Sequence, residues 1–398
     1  MQIGVAGSLA LSGSRTDGLL TSSHRLSIMS DVEPQRSNPE VLPEVQPPTT
    51  GFILQLFVIP GLIVVVIVLV WLLIGSMAES GSDPAKFLVE IKRGRSNSWQ
   101  QALSLAQTLQ SDPKLKYDRQ LAGQIADYLD SLLDLSLPQS PEDLGQNPGT
   151  TRDEKAEGAN LRRYLCMALG NFRVDEGLPV LLKAAGMEDG GDEEILKVRV
   201  AALMAIANLA ENFNNLTPPQ TLDHPNLLPT LLAASQDDQV ALRSPSAIAL
   251  GVLGTEAALE RLEDMLIEAQ PANVHYNVAT SLARNGRESS TELLLEMLQP
   301  ARIRELPKAP PKNERVVLSE RQIQQRDAEQ RRLEQALVVR SALQALPQLQ
   351  AANPEADLQP LMAALAALRD SDLPKSVRLE AERLLNEFKA RASESQAE

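Results

Sequence analysis

The chain has 398 residues with 52 acidic and 38 basic side chains, a net charge of −14, and 43% of its residues are hydrophobic. So acidic a surface disfavours general nucleic-acid binding, and no specific nucleic-acid partner is expected. Aromatic residues make up only 3% of the chain, a composition typical of stacked helices with small side chains rather than of a β-sandwich. Cys166 is the only cysteine, which excludes an intrachain disulfide.

The first segment, 1–51, is rich in serine, threonine, proline and glycine and has neither a helical nor a strand period. It is predicted to be a disordered tail. It lacks the positive start and continuous apolar core of a signal peptide. Met29 offers an alternative start to Met1, and the sequence leaves the two open.

The segment 52–76 reads FILQLFVIPGLIVVVIVLVWLLIGS and contains no charged residue. As a helix it would extend about 37 Å, enough to cross a hydrocarbon core of about 30 Å. A soluble helix of this length needs a polar face, which this segment does not have. The sequence therefore predicts a single transmembrane helix that contacts the lipid bilayer, with a bend at Pro60-Gly61.

Basic residues are more frequent just after this segment than just before it. Within about twenty residues, Lys86, Lys92, Arg93 and Arg95 follow it, whereas Arg36 alone precedes it. Because positive residues tend to stay in the cytoplasm, a single-pass protein with a cytoplasmic C-terminal domain is predicted. The same cluster has a second interpretation, contact with anionic headgroups.

Helical patterns with short breaks begin at Asp83-Pro84, where an acidic N-cap precedes a proline at the first helical position. Apolar residues recur at helical spacing through 83–135, which predicts an N-terminal helical cap on a larger array. Residues 136–158 are rich in proline, glycine and acidic residues and are interpreted as a linker or loop.

Beyond this linker the sequence repeats one pattern: an anchor residue, an apolar or small residue three positions later, and mostly small residues six and eight positions later with a leucine or isoleucine between them. Small side chains would let neighbouring helices approach closely, and the leucines between them would fill a shared core. The copies occupy 159–299 and, more weakly, 319–390. Their anchors are Arg162, Arg199, Arg243, His275, Arg340 and Arg378.

The segments 237–251 (DDQVALRSPSAIALG) and 372–378 (DLPKSVR) resemble HEAT repeats, specifically the bacterial HEAT-like repeats also found in phycobilisome lyases. The resemblance covers 159–299 and, loosely, 335–390. It implies an α–α superhelix that binds proteins along a concave face, with no catalytic or cofactor-binding residues to carry over. Two departures are His275 in the usual arginine place and a long loop at 211–225.

The segment 300–318 interrupts the array with several prolines and is interpreted as a proline-rich charged insertion. A long helix is predicted from Ser319 to about Leu346, with a tail at 391–398. Residues 301–340 hold ten basic and six acidic side chains. This excess predicts either a docking arm for an acidic partner, RNA or lipid headgroups, or a solvated helix face with internal Glu–Arg pairs.

Residues with the chemistry of a site are few. His24, His224, His275 and Cys166 lie too far apart in sequence for a zinc site. The glycine-containing loop 186–192 lacks both the lysine of a phosphate-binding loop and the spacing of a calcium loop. His275 is interpreted as a substitute for arginine and Cys166 as a buried small side chain. No catalytic residue, cofactor or metal is predicted.

Three functions remain open. The first is a membrane-anchored scaffold or adaptor that binds one or more protein partners on the surface of the helical array. The second is an enzyme of the chromophore-lyase type. The third is a structural subunit of a membrane complex, in which the transmembrane segment makes the specific contacts.

Overall fold

The computed structural model describes Val64, Val65, Ile67 and Val68 and the ranges 84–93, 97–135, 148–306 and 320–395. The chain divides into two compact units, Met1–Gly81 and Ser82–Glu398. In the first unit, the four described valine and isoleucine residues are helical and exposed. The predicted tail 1–51, the rest of the predicted span 52–76 and most of the insertion 300–318 lie outside the described residues.

Every regular element that the structure describes is a helix, which confirms the all-α prediction. Short 3₁₀ turns occur at Leu115–Tyr117, Glu288–Ser290 and Pro300–Arg302. Within the described ranges, no helix combines the length and the apolar composition needed to cross a bilayer. The helices are α1 (Pro84–Lys92), α2 (Ser98–Ser111), α3 (Arg119–Leu133), α4 (Pro148–Gly170), α5 (Leu178–Ala185), α6 (Glu193–Asn214), α7 (Leu227–Ser235), α8 (Val240–Leu253), α9 (Glu256–Ile267), α10 (Ala272–Arg284), α11 (Thr291–Met297), α12 (Glu320–Ala352), α13 (Gln359–Arg369) and α14 (Lys375–Ser395).

The helices of the second unit pack alternately. Each even-numbered helix from α2 to α12 contacts the next even-numbered helix. The odd-numbered helices from α3 to α9 likewise contact one another in order, and α11 contacts α13. The two sets therefore form two layers, and every anchor residue of the sequence pattern lies in the even-numbered layer.

Two clusters of buried apolar side chains fill the space between the layers, and they meet at α10. Val278 and Leu282 of this helix belong to the cluster that extends back to α1. Tyr276 and Ala279 belong to the cluster that extends forward to α14. One helix thus contributes to both cores.

The small residues of the repeat pattern lie where even-numbered helices come closest. A Cβ atom added to Gly170 of α4 would lie 2.8 Å from the Cα atom of Ala205 in α6. At Gly251 of α8, the added atom would lie 2.9 Å from the Cα atom of Ser281 in α10. Only glycine permits backbones to approach this closely.

Three boundaries differ from the sequence prediction. Helix α4 begins at Pro148, inside the predicted linker 136–158, because proline is tolerated at the first helical position and the residues that follow include good helix formers. Helix α12 continues past Pro347 to Ala352. Helix α14 runs to Ser395, into the predicted tail 391–398, where Arg391 bonds Glu387 one turn earlier at 2.9 Å.

Candidate protein-interaction surface

The anchor residues fasten each even-numbered helix to the chain that leaves the preceding odd-numbered helix. The guanidinium of Arg162 donates to the carbonyl of Leu132 at 2.5 Å, and that of Arg199 to the carbonyl of Ala185 at 3.2 Å. Each acceptor lies in the last turn of an odd-numbered helix. Every such bond uses a carbonyl that a helix end leaves without an intrahelical partner.

The next two anchors make a similar contact, to carbonyls one or two residues beyond the end of an odd-numbered helix. Arg243 donates through Nε to the Asp237 carbonyl at 2.7 Å. His275 contacts the Glu268 carbonyl through Nε2 at 3.0 Å. The anchor position therefore has the same structural role in four successive even-numbered helices. The prediction that His275 substitutes for arginine agrees with this geometry.

Arg199 also joins two successive repeats. It is largely buried and forms ion pairs with Asp189, in the turn before its own helix, and with Asp237, in the turn before α8. The Arg199 Nη2–Asp237 Oδ2 distance is 2.7 Å. A hydrogen bond donated by the Gly191 amide is the largest cause that lowers the pKa of Asp189. A hydrogen bond from Arg199 lowers that pKa further. The Asp189 carboxylate is thus favoured in its ionised form beside a largely buried cation.

In α10, where His275 takes the place of the anchor arginine, an arginine from later in the chain contacts the other nitrogen of the imidazole ring. Arg304, at the start of the insertion, approaches His275 Nδ1 through Nη1 at 3.0 Å. Its Nε atom donates to Glu296 at 2.9 Å, and its backbone N–H donates to the hydroxyl of Tyr276 at 2.8 Å. Because Nε2 faces a carbonyl and Nδ1 faces a guanidinium, the neutral imidazole protonated on Nε2 satisfies both contacts.

Asparagines form a second set of bonds between repeats, which the sequence analysis missed. Asn212 donates to the Gly170 carbonyl at 3.1 Å, Asn285 to the Gly251 carbonyl at 2.8 Å, and Asn353 to the Gly286 carbonyl at 3.2 Å. Each acceptor lies within two residues of the C-terminal end of the preceding even-numbered helix. An asparagine at or just after the ends of α6, α10 and α12 was the available signal.

The even-numbered layer has a row of partly exposed residues at one repeated position, five residues after each of the first four anchors. Met167, Met204 and Ile248 occupy this position in α4, α6 and α8, and Thr280 occupies it in α10. Met167 is 37% exposed and the others are partly exposed. We call these four residues the central row. They form a mainly apolar row across four helices that pack side by side.

Charged side chains beside the central row are held in ion pairs. Arg284 of α10 pairs with Glu211 of α6, and Lys197 contacts Glu193 and Glu194 at 3.0 and 2.9 Å. The charges of Arg284, Glu211 and Lys197 are therefore each balanced by a neighbouring opposite charge. Methionine suits such a surface because its flexible thioether adapts to differently shaped side chains.

The remaining residues with reactive chemistry are dispersed. Cys166 is fully buried, and burial raises the pKa of its thiol to about 12. His224 is partly exposed in the loop before α7, and His24 lies outside the described residues. In the loop 186–192, Asp189 bonds Arg199, and Asp192 pairs with Lys155 at 2.6 Å. Among the described residues, no group of three or more potential ligands could hold a metal ion.

A groove of about 660 Å³ lies in the odd-numbered layer. Its walls include Pro179 and Leu182 of α5 and Pro229 of α7, and Arg199 and Asp237 also line it. These two residues form an ion pair with each other. Searches with this sequence found no matching protein-family model and no matching curated protein.

Proposed function

We infer that this protein is a membrane-anchored scaffold or adaptor that binds a protein partner at the cytoplasmic face. Its paired helices form a HEAT-like α–α superhelix, and the apolar segment 52–76 anchors that superhelix in the bilayer. The observation that carries the binding role is the central row, Met167, Met204, Ile248 and Thr280. Its support is the repetition of one exposed position on four adjacent helices.

The superhelical architecture is supported by the alternation of the two layers and by the repeated contacts between them. A single helix pair does not bury its own apolar face, so pairs must stack on one another. The anchor bonds and the asparagine bonds both recur from one even-numbered helix to the next. Such repetition is what an array of HEAT-like units requires.

The membrane anchor rests on the composition of 52–76, which is uncharged over 25 residues. The cytoplasmic orientation rests on the basic residues that follow it. An enzyme of the lyase type receives less support, because the lyases with similar repeats are normally soluble, whereas this chain carries the apolar segment 52–76. A structural subunit of a membrane complex would bind through 52–76 and would not need the central row.

Proximity labelling from the C-terminus, compared between matched variants, tests the binding role. Met204→Glu with Ile248→Glu adds two charges to the central row, while Ile267→Glu adds one at a side chain that is 87% exposed at the end of α9. We expect a partner labelled by the wild type and by Ile267→Glu but lost in the double variant. Circular dichroism must show the same helical content in all three proteins.

The opposite results are equally informative. If all three proteins label the same neighbours, the central row is not the binding surface. If scrambling the order of residues 52–76 at constant composition removes the labelled partner, the segment makes specific contacts, and the structural-subunit function replaces the scaffold.

A further inference from the structure

Helix α12 is 33 residues long, and only its second part packs into the core. Val338, Val339 and Leu343 are buried, whereas all thirteen residues of Arg321–Leu333 are exposed. We call Arg321–Leu333 the arm. At about 1.5 Å per residue it extends for about 20 Å. A helix of this length is only marginally stable alone in water, so a partner would stabilise it.

Three large apolar side chains of α12 are solvent-exposed in and next to the arm. Ile323 is 40% exposed, Leu333 is 58% exposed and Leu337 is 42% exposed. Their spacing of ten and four residues places them at the a, d and a positions of consecutive heptads. Gln330 occupies the intervening a position and Arg326 the preceding d position. We call these five residues the seam.

The charges of the arm segregate around this seam. Asp327, Glu329 and Glu334 occupy the e and g positions, which flank the seam on both sides. The arginines 321, 331 and 332 occupy the f, b and c positions on the opposite side of the helix. Three of the four arginines of the arm therefore lie away from the seam, Arg326 interrupts the seam at a d position, and the seam has acidic residues at its e and g borders.

This distribution argues against pairing between two copies of the arm. A parallel pair would bring Glu329 of one copy against Glu334 of the other. An antiparallel pair would bring the acidic e positions, Asp327 and Glu334, against the same positions of the second copy. Like charges at these positions disfavour both alignments.

We propose that the arm binds an amphipathic helix of a partner protein whose apolar stripe is bordered by lysine or arginine. The proposal deepens the scaffold function and rests on it. The partner's apolar side chains pack on Ile323, Leu333 and Leu337, and its basic residues pair with the acidic borders. The acidic borders of a second copy would repel those of the arm, so the arm is selective for a helix with basic borders.

The test uses the full-length chain and two synthetic helical peptides of three heptads each. Both peptides carry leucine at a and d; one has lysine and the other glutamate at e and g. We expect titration calorimetry to show the lysine peptide binding at least about tenfold more tightly than the glutamate peptide. Added salt should reduce that difference.

Matched variants locate the binding to the seam. Ile323→Glu and Gln325→Glu each add one negative charge to the exposed arm, but only the first falls on the seam. We expect Ile323→Glu to weaken binding of the lysine peptide at least about tenfold, and Gln325→Glu by less than about twofold. Glu329→Lys with Glu334→Lys should reverse the preference in favour of the glutamate peptide.

Four results would overturn the proposal: absence of binding, equal affinity for both peptides, an arm-dependent dimer in analytical ultracentrifugation that Leu333→Glu dissociates, and binding that appears only after residues 307–318 are deleted. The third result would make a second copy the occupant, and the fourth would make that segment of the chain the occupant. Failure of the scaffold function is distinguished from these results, because its own test depends on variants at Met204 and Ile248, which lie outside the arm.

Discussion

Arg199 of one repeat and Asp237 of the next form an ion pair at 2.7 Å, 38 residues apart in the chain. The same guanidinium bonds Asp189 and the carbonyl of Ala185. A single side chain thus connects α5, α6 and the turn before α8. Neighbouring repeats are held in register by polar contacts as well as by the apolar core.

Replacing Arg199 with methionine should destabilise the protein severely. The change keeps most of the side-chain length but leaves Asp189 and Asp237 without their cation, and breaking such a largely buried pair costs about 3–5 kcal/mol. Urea denaturation followed by circular dichroism measures the loss. Arg383→Met, which removes an exposed i,i+4 pair with Glu387, should leave the midpoint nearly unchanged; equal losses in both variants would contradict the assigned role.

Gly251→Ala should destabilise the packing between α8 and α10. The new methyl group would lie 2.9 Å from the Cα atom of Ser281, and overpacking of this kind costs about 1–3 kcal/mol. Gly123→Ala in α3 is the matched control, because nothing lies within 4 Å of its added Cβ atom. It should stabilise the protein by about 0.5–1 kcal/mol. Thermal denaturation of the two variants should therefore shift in opposite directions.

His275 should make stability fall as the pH drops below about 6.5. Burial and the nearby Arg304 lower the pKa of this imidazole, so the folded state binds the proton less tightly than the unfolded state. The stabilisation is complete above the unfolded pKa and is lost as the pH falls towards the folded pKa. Midpoints of thermal unfolding between pH 7.5 and 5.5 test this.

The His275→Gln variant removes the titrating group and should show a flatter midpoint across the same pH window. Below about pH 5 both proteins should lose stability, because Asp189, Asp192 and Glu268 have lowered pKa values and become protonated there. A variant that keeps the full wild-type slope between pH 7.5 and 5.5 would assign that slope to other groups.

Cys166 should be inert in the folded protein and reactive when the chain unfolds. Burial raises the pKa of its thiol to about 12, whereas an exposed cysteine titrates near about 8.5. At pH 8.5 we expect alkylation by iodoacetamide to be at least about 100-fold slower in buffer than in denaturant. Mass spectrometry of the single cysteine peptide gives both rates; rapid alkylation of the native protein would show that α4 opens readily.

The full-length protein should remain in the membrane pellet after carbonate extraction. Residues 52–76 carry no charge, and an apolar helix of this length is not released by high pH. The fragment Ser82–Glu398, which corresponds to the second compact unit, should appear in the supernatant. Release of the full-length chain by carbonate would exclude the proposed anchor.

The sequence predicted the even-numbered layer well because its period is carried by short-range patterns. Arginines at equivalent places, followed by small residues, located α4, α6 and α8 and the close contact at Gly251. The start of α4 was missed because proline and glycine close together are typical of a loop. Pro148 fits a helix only because it stands at the first helical position.

Other features depend on residues distant in sequence. Nothing near His275 indicates that Arg304, 29 residues later, completes its contact. Likewise, the charge count from 301 to 340 does not tell which side of α12 carries the arginines. That required knowing that Val338 and Val339 face the core, which fixes the orientation of the arm.

Helix α10, which contributes Val278 to one core and Tyr276 to the other, also has a mechanical consequence. A pull exerted on α12 by a bound molecule reaches the N-terminal helices mainly through these thirteen residues. Helix α10 is therefore the element through which a force on one core is passed to the other.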